Sequence, residues 1–226
     1  MKTLFLIQFV SLIYLANCWP FPIDLIFELA KITKLEFDTL KDIVTAADHV
    51  PQALTGFSLV PCPAQSEPPS DFTWEDFKGT WHEIERTAMF EILETGQKCT
   101  QFSFTKESDE FKINTTVFSE ILNKQLSASK TINVKDQKNV FGVKINPIKE
   151  SQYWIVDTDL DSYALIFSCE QILQASLRNA WILGRKPTLH ESIRDLLVKK
   201  LGSLGIPESS LIKSDQSCST FIPFND

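Results

Sequence analysis

Gly79-Thr80-Trp81 is the start of the part of the sequence that decides the fold. That part ends with Trp181-Ile182-Leu183-Gly184-Arg185. Between them lie about eight short apolar runs, separated by turn-forming residues and almost without helical pattern. Antiparallel strands that follow one another reverse direction each time, so the first strand starts at the end of the barrel where the eighth strand finishes. We therefore expect Arg185 to lie over the Trp81 indole and close that end, an attraction of about 0.5–2 kcal/mol.

The pattern predicts an all-β fold, an eight-stranded antiparallel up-and-down barrel with a C-terminal α-helix and an N-terminal helical extension. Strands are predicted near residues 80–88, 98–106, 110–119, 125–135, 139–145, 152–157, 162–169 and 178–185. Apolar residues then recur at helical spacing from about Leu189 to Leu201, and Gly202 or Gly205 would end that helix.

The N-terminal part of the chain has a different character. Residues 1–18 contain an apolar run from Leu4 to Leu15, which is typical of a secretory signal peptide cleaved near Cys18. Apolar residues at roughly helical spacing predict one or two amphipathic helices in residues 19–60. Three roles stay open for this extension: an appendage packed on the barrel, a removable propeptide, or a lipid- or partner-binding helix. The barrel domain, with its helix and tail, is expected over residues 61–226.

Charge and cysteine content limit the class of protein. The net charge is −7 and no basic stripe is present, which argues against nucleic acid or an anionic membrane as a partner. Removing the signal peptide leaves Cys62, Cys99, Cys169 and Cys218 of the five cysteines, an even number suited to an oxidising, extracellular compartment. Their spacing leaves all three pairings open. It does not resemble a zinc site, and no metal or cofactor is predicted.

Strand alternation predicts which side chains face the barrel interior. Phe102 and Phe104 point inward if Cys99 leaves the wall outward. Ile166 and Ser168 point inward if Cys169 does the same. The side chains predicted to contact a ligand are Phe90, Phe102, Phe104, Ile113, Val117, Phe141, Val143, Ile166 and Trp181.

Two further segments have predicted places on the barrel. Asn114-Thr115-Thr116 is the one N-glycosylation sequon of the sequence, and an outward Asn114 would turn Ile113 and Val117 inward. The segment from Thr87 to Leu93 is strongly apolar. Exposing it would be costly unless it covers a ligand, a membrane or a partner, so it is predicted to form the barrel mouth with Phe90. Folding of these side chains into the core is the alternative.

Motifs that could carry chemistry are weak. Asp157-x-Asp159-x-Asp161 has the first spacings of a calcium loop but lacks its glycine and its final glutamate, which favours an acidic hairpin turn. His49, His82 and His190 have no metal-ligand spacing, and His82 is expected to point outward beside Trp81. The sequence predicts no catalytic residue, and therefore no enzyme.

Three motifs in order resemble the signatures of the lipocalin family. Gly79-Thr80-Trp81 resembles the first signature, the Gly-x-Trp of the first strand. The second signature is resembled by Asp157-Thr158-Asp159 through Tyr163, and the third by Trp181 to Arg185. Tyr163-Ala164-Leu165-Ile166-Phe167-Ser168-Cys169 resembles the branch that contains apolipoprotein D and the insect bilin-binding proteins. Two departures are His82, where the family usually has tyrosine, and residues 19–60, which have no counterpart in this branch.

The resemblance carries expectations about disulfides and function. It implies that Cys62 pairs with Cys169 and Cys99 with Cys218, that Gly79, Trp81 and Arg185 are structural, and that a small hydrophobic ligand of the fatty acid, sterol, retinoid or tetrapyrrole class is bound and transported. A lipoprotein, a membrane surface or a receptor would be the macromolecular partner. The alternative is an extracellular signalling or matrix-associated protein that uses residues 19–60 as its contact surface and fills its interior with its own side chains.

Overall fold

The structure is a computed structural model that describes residues 57–65, 67, 69, 71–88, 96–135, 138–144, 150–172 and 175–218. The expected signal peptide, the predicted helices before residue 57 and the mouth loop with Phe90 lie outside the described residues. Among the described residues, no helix has the length and apolar character needed to cross a bilayer.

Eight antiparallel strands form the barrel, each paired with its neighbour in sequence. They are β2 (Gly79–Thr87), β3 (Gln97–Glu107), β4 (Glu110–Ser119), β5 (Lys124–Val134), β6 (Val140–Lys144), β7 (Glu150–Thr158), β8 (Tyr163–Ile172) and β9 (Ala175–Gly184). Pairing of β2 with β9 closes the sheet on itself. The eight predicted strands are confirmed within a few residues, because alternating apolar side chains and turn residues are strong local signals.

Two short strands extend this sheet. β1 (Phe57–Ser58) pairs with β9, and β10 (Leu211–Lys213) pairs with the end of β2. The predicted helical extension therefore does not reach residue 60, since its last part is extended chain hydrogen-bonded to the barrel. These strands were not predicted, because two or three residues carry no detectable period.

A short helix and an aromatic cluster close one end of the barrel. Helix α1 (Trp74–Phe77) starts at Thr73, whose hydroxyl accepts the Asp76 amide hydrogen. Trp81 is 0% exposed, its ring stacks on Phe77 at 5.0 Å, and its Nε1 donates to the Phe77 carbonyl at 3.0 Å. The barrel is therefore closed by more side chains than the sequence pattern indicated.

Arg185 completes this closed end. Its Cζ lies 3.7 Å from the centroid of the Trp81 ring, as the strand count predicted. The guanidinium also donates to three backbone carbonyls, those of Asp76, Thr80 and Leu160. Arg185 thus joins α1, β2 and the turn before β8.

Helix α2 (Glu191–Ser203) packs on the outside of the barrel through Leu197 and Leu201, both fully buried. It begins after His190, whose ring nitrogen accepts from the Ser192 amide, and Gly205, with positive φ, lies two residues beyond its last residue, Ser203. There the Gly205 and Ile206 amides donate to Gly202 and Leu201, the Schellman pattern that requires positive φ. The predicted helix is confirmed, displaced by two residues.

The disulfides join the pairs that the resemblance implied. Cys62 bonds to Cys169 on β8, and Cys99 on β3 bonds to Cys218. Each bond ties one end of the described chain to the barrel wall. Both bonds close long loops, with sequence separations of 107 and 119 residues.

Candidate functional site

The barrel interior contains an apolar cavity next to the closed end. Eight side chains from six strands line it: Phe102, Ile113, Phe141, Val143, Tyr153, Ile166, Trp181 and Leu183. Strand alternation brings them together, because every second residue of each barrel strand faces the interior. The sequence placed six of these eight side chains in its ligand-contacting set.

This cavity is small. Its volume is about 20 Å³, little more than the 10–15 Å³ or so that one water molecule needs. Aromatic rings occupy much of the interior, with Phe141 stacked on Tyr153 at 5.3 Å and Tyr153 against Trp181 at 5.8 Å. A larger molecule can enter only if some of these side chains move.

The remaining predicted contacts lie elsewhere. Phe104 is buried deeper, in edge contact with Phe77 at 4.9 Å, and does not line the cavity. Val117 is only partly buried, nearer the open end of β4. Asn114 faces outward opposite Ser103, and its Nδ2 contacts the Thr105 hydroxyl at 3.3 Å. Its glycosylation stays a prediction, and Phe90 lies outside the described residues.

The interior also holds an ion pair that the sequence analysis missed. Glu83 and Arg86 lie opposite Leu183 and Trp181 on β9, which places both on the interior face. The Arg86 Nε lies 3.4 Å from the Glu83 carboxylate, and the Ser214 hydroxyl donates to the same carboxylate at 2.5 Å. A β-bulge between Glu83 and Glu85 disrupts the alternation, which is why strand periodicity did not reveal the pair.

Burial raises the pKa of the Glu83 carboxyl, opposed by Arg86 and Ser214. The folded protein therefore retains a proton that the unfolded chain has already released, and the free energy of unfolding falls as pH rises from about 4.3 through this raised pKa. We expect Glu83→Gln to abolish that fall. Urea unfolding of both proteins at several pH values measures it, and a stability difference that stays constant with pH would contradict it.

Beside this ion pair, the wall between β2 and β3 opens. The strands pair only from Gly79 to His82, and beyond that the C-terminal segment fills the gap. The Cys99 amide donates to Asp215 at 2.7 Å, the Ser214 amide donates to Ile84 at 2.9 Å, and Lys98 pairs with Asp215 at 3.1 Å. A polar cleft of about 300 Å³ remains there.

The weak motifs have structural roles. Asp159 Oδ1 accepts the backbone amide hydrogens of Asp161, Ser162 and Tyr163, which confirms the acidic turn. His82 lies opposite Gln101 on the outer face, and burial lowers its pKa. Within the described part of the chain, no group of three or more histidine, cysteine or acidic side chains could hold a metal ion.

The comparisons with known proteins agree with this geometry. Residues 78–217 match the model of the lipocalin / cytosolic fatty-acid binding protein family. The chain belongs to the lipocalin family. This lipocalin is 33% identical over 180 residues to apolipoprotein D of Mus musculus, covering 74% of this chain and 88% of the mouse protein. It is 30% identical over 173 residues to apolipoprotein D of Bos taurus, covering 71% and 85%.

Solved lipocalin structures share the fold. Insecticyanin from the tobacco hornworm Manduca sexta aligns with a TM-score of 0.61 at 22% identity, covering 71% of this chain and 89% of its own. H1 crustacyanin from the lobster Homarus americanus aligns with a TM-score of 0.60 at 14% identity, covering 73% and 92%. At these identities the similarity concerns the fold alone.

Proposed function

We propose that this lipocalin is secreted, and that it binds and transports one small hydrophobic ligand in the barrel interior. The observation that carries this proposal is an apolar cavity lined from six strands and closed at one end by Trp81 and Arg185. Two disulfides and the apolar segment before Cys18 support secretion. Binding is the better assignment than catalysis, since the cavity lining is apolar and aromatic and contains no histidine, cysteine, serine or acidic side chain.

The size of the cavity bears on the ligand class. With about 20 Å³ free, a rigid sterol or tetrapyrrole would displace several rings, whereas a slim acyl chain needs fewer to move. Burying about 400 Å² of apolar ligand surface gains roughly 10 kcal/mol, and association costs about 4–15 kcal/mol. We therefore expect affinity in the micromolar range for a long-chain lipid.

A matched pair of variants tests this proposal. Ala128 packs against the interior cluster, and its neighbour Ser129 is exposed on the outer face of β5. We expect Ala128→Trp to weaken binding of the neutral probe N-phenyl-1-naphthylamine by tenfold or more, because the new ring occupies the interior. Ser129→Trp should leave the affinity unchanged. Fluorescence titration measures both affinities, and native mass spectrometry of protein from its natural source identifies the carried lipid.

A second candidate is an extracellular scaffold that acts through protein partners. The nearly filled interior favours it, and so do the exposed side chains of Leu59 and Val60, 47% and 57% exposed where the chain enters from residues 19–56. The same titration separates the candidates, since a scaffold with a filled interior gives no saturable binding of the probe.

Ile121 is 76% exposed on the hairpin between β4 and β5, a position suited to contact with a membrane or lipoprotein surface.

A further inference from the structure

Three buried polar atoms that lie beyond the cavity, toward the open end of the barrel, are left without a partner. Among the described residues, no hydrogen-bond partner lies within reach of Thr115 Oγ1, Ser168 Oγ or Asn179 Nδ2. The residues are 5%, 2% and 1% exposed, so solvent does not satisfy them either. Buried polar groups in proteins are almost always hydrogen-bonded, and unpaired ones call for an explanation.

The three residues occupy equivalent positions relative to the cavity. Thr115, Ser168 and Asn179 each lie two residues beyond a cavity-lining side chain, on the side away from the closed end. The corresponding lining residues are Ile113, Ile166 and Trp181. Because side chains two apart on a strand share a face, all three point into the interior just beyond the apolar cavity.

Cross-strand pairing brings two of these groups together. Ser168 on β8 lies directly opposite Asn179 on β9, a separation of about 4.5–5.5 Å between Cβ atoms. The Thr87 hydroxyl contacts Asn179 Oδ1 at 3.5 Å and accepts the Ala180 amide hydrogen at 3.2 Å. The amide oxygen of Asn179 is thus turned to the wall, and its Nδ2 donor is the unpaired atom.

The charges that face the interior limit the chemistry of the ligand. In the described strands beyond the closed end, alternation turns four buried or partly buried ionisable side chains inward: Glu83, Arg86, Lys130 and Glu170. Two of these groups are basic and two are acidic. Glu170 accepts from Ser151 at 2.7 Å, and Arg86 pairs with Glu83. Each basic group is therefore matched by an acidic one, and a neutral acceptor costs less to desolvate than a carboxylate.

We propose that Ser168 and Asn179 donate hydrogen bonds to a neutral carbonyl oxygen of the hydrophobic ligand, as in an ester or a ketone, and that Thr115, on the facing wall, completes a polar belt around the ligand. This inference rests on the proposed function, because the belt lies between the apolar cavity and the open end of the same barrel. The apolar part of the ligand occupies the cavity, and its carbonyl lies one step closer to the open end.

Competition with a bound probe tests the belt. Methyl laurate and lauric acid share one acyl chain and differ in charge, and each is titrated against N-phenyl-1-naphthylamine at neutral pH. We expect methyl laurate to bind more tightly than laurate. Asn179→Leu and Ser168→Ala should each lower the affinity for methyl laurate by about three- to tenfold, which is the usual contribution of one neutral hydrogen bond. The affinity for the probe should stay nearly unchanged.

The melting temperature separates ligand binding from a structural role. Asn179→Leu removes a buried amide whose Nδ2 donor is unpaired and whose oxygen makes only a long contact of 3.5 Å with Thr87, so the ligand-free protein should melt at a higher temperature while it binds the ester less tightly. Asn139→Leu is the matched control, because Asn139 Nδ2 donates to the Ile155 carbonyl at 2.9 Å. That variant should melt at a lower temperature and keep the ester-to-probe affinity ratio.

Four results would overturn the belt. The first is a lower melting temperature of Asn179→Leu together with equal losses of affinity for the ester and the probe. The second is an unchanged ester affinity in both belt variants, and the third is tighter binding of laurate than of its methyl ester. The fourth is the absence of any saturable binding of the probe. The last result refutes the proposed function itself. In the other three the probe still binds, so only the belt fails.

Discussion

Replacing Trp81 with alanine is expected to lower the free energy of unfolding by about 3–5 kcal/mol, the usual cost of removing a buried tryptophan. The ring is 0% exposed and stacks on Phe77. The Arg185 Cζ lies 3.7 Å from the ring centroid. Its loss leaves a cavity at the closed end and removes the surface on which the guanidinium lies. Urea unfolding followed by circular dichroism measures the change.

Trp81→Phe provides the control for this prediction. Phenylalanine keeps a ring against Phe77 and Arg185 but removes the Nε1 donor that bonds to the Phe77 carbonyl. We expect a smaller loss, about 1–2 kcal/mol. A loss below about 1 kcal/mol for Trp81→Ala would show that the closed end does not depend on this side chain.

Removing the Cys99–Cys218 disulfide is expected to cost about 2–5 kcal/mol, because it frees a long loop in the unfolded chain. The double variant Cys99→Ala, Cys218→Ala avoids a free thiol. Since this bond anchors the segment that fills the gap between β2 and β3, the Ser214 amide should also exchange its hydrogen faster than in the wild type.

The Cys62–Cys169 disulfide is the matched control. It closes a loop of nearly equal length, with a separation of 107 against 119 residues, so the chain-entropy contributions of the two bonds are similar. Removing it should release β1 and leave the exchange of the Ser214 amide unchanged. Equal exchange rates in the two double variants would contradict an anchoring role for Cys218.

Local sequence predicted most of the barrel, because each strand has its own alternation and its own turn residues. The same alternation identified Phe102, Ile113 and Ile166 as interior side chains, and it holds wherever the strand is regular. It failed at Arg86, where a bulge after Glu83 shifts the register and turns this side chain into the interior beside Glu83. The sequence contains no marker for such a shift.

Other elements could not be predicted from local pattern because long-range contacts create them. The four-residue helix α1 is held by aromatic packing of Trp74 and Phe77, and β1 and β10 by their pairing with β9 and β2. Ser168 was predicted to face inward, but its lack of a partner depends on what surrounds it in three dimensions. Short elements and unpaired atoms are properties of the assembled barrel.

The sequence by itself determined the number and order of the barrel strands, the closure by Trp81 and Arg185, and the lipocalin family, since these follow from periodicity and from motifs at fixed spacing. Only the tertiary structure decided how much room the interior leaves and which buried polar atoms, such as Asn179 Nδ2, stay unpaired. The physical reason is that free volume and hydrogen-bond satisfaction depend on side chains from several strands at once, and no single segment encodes them.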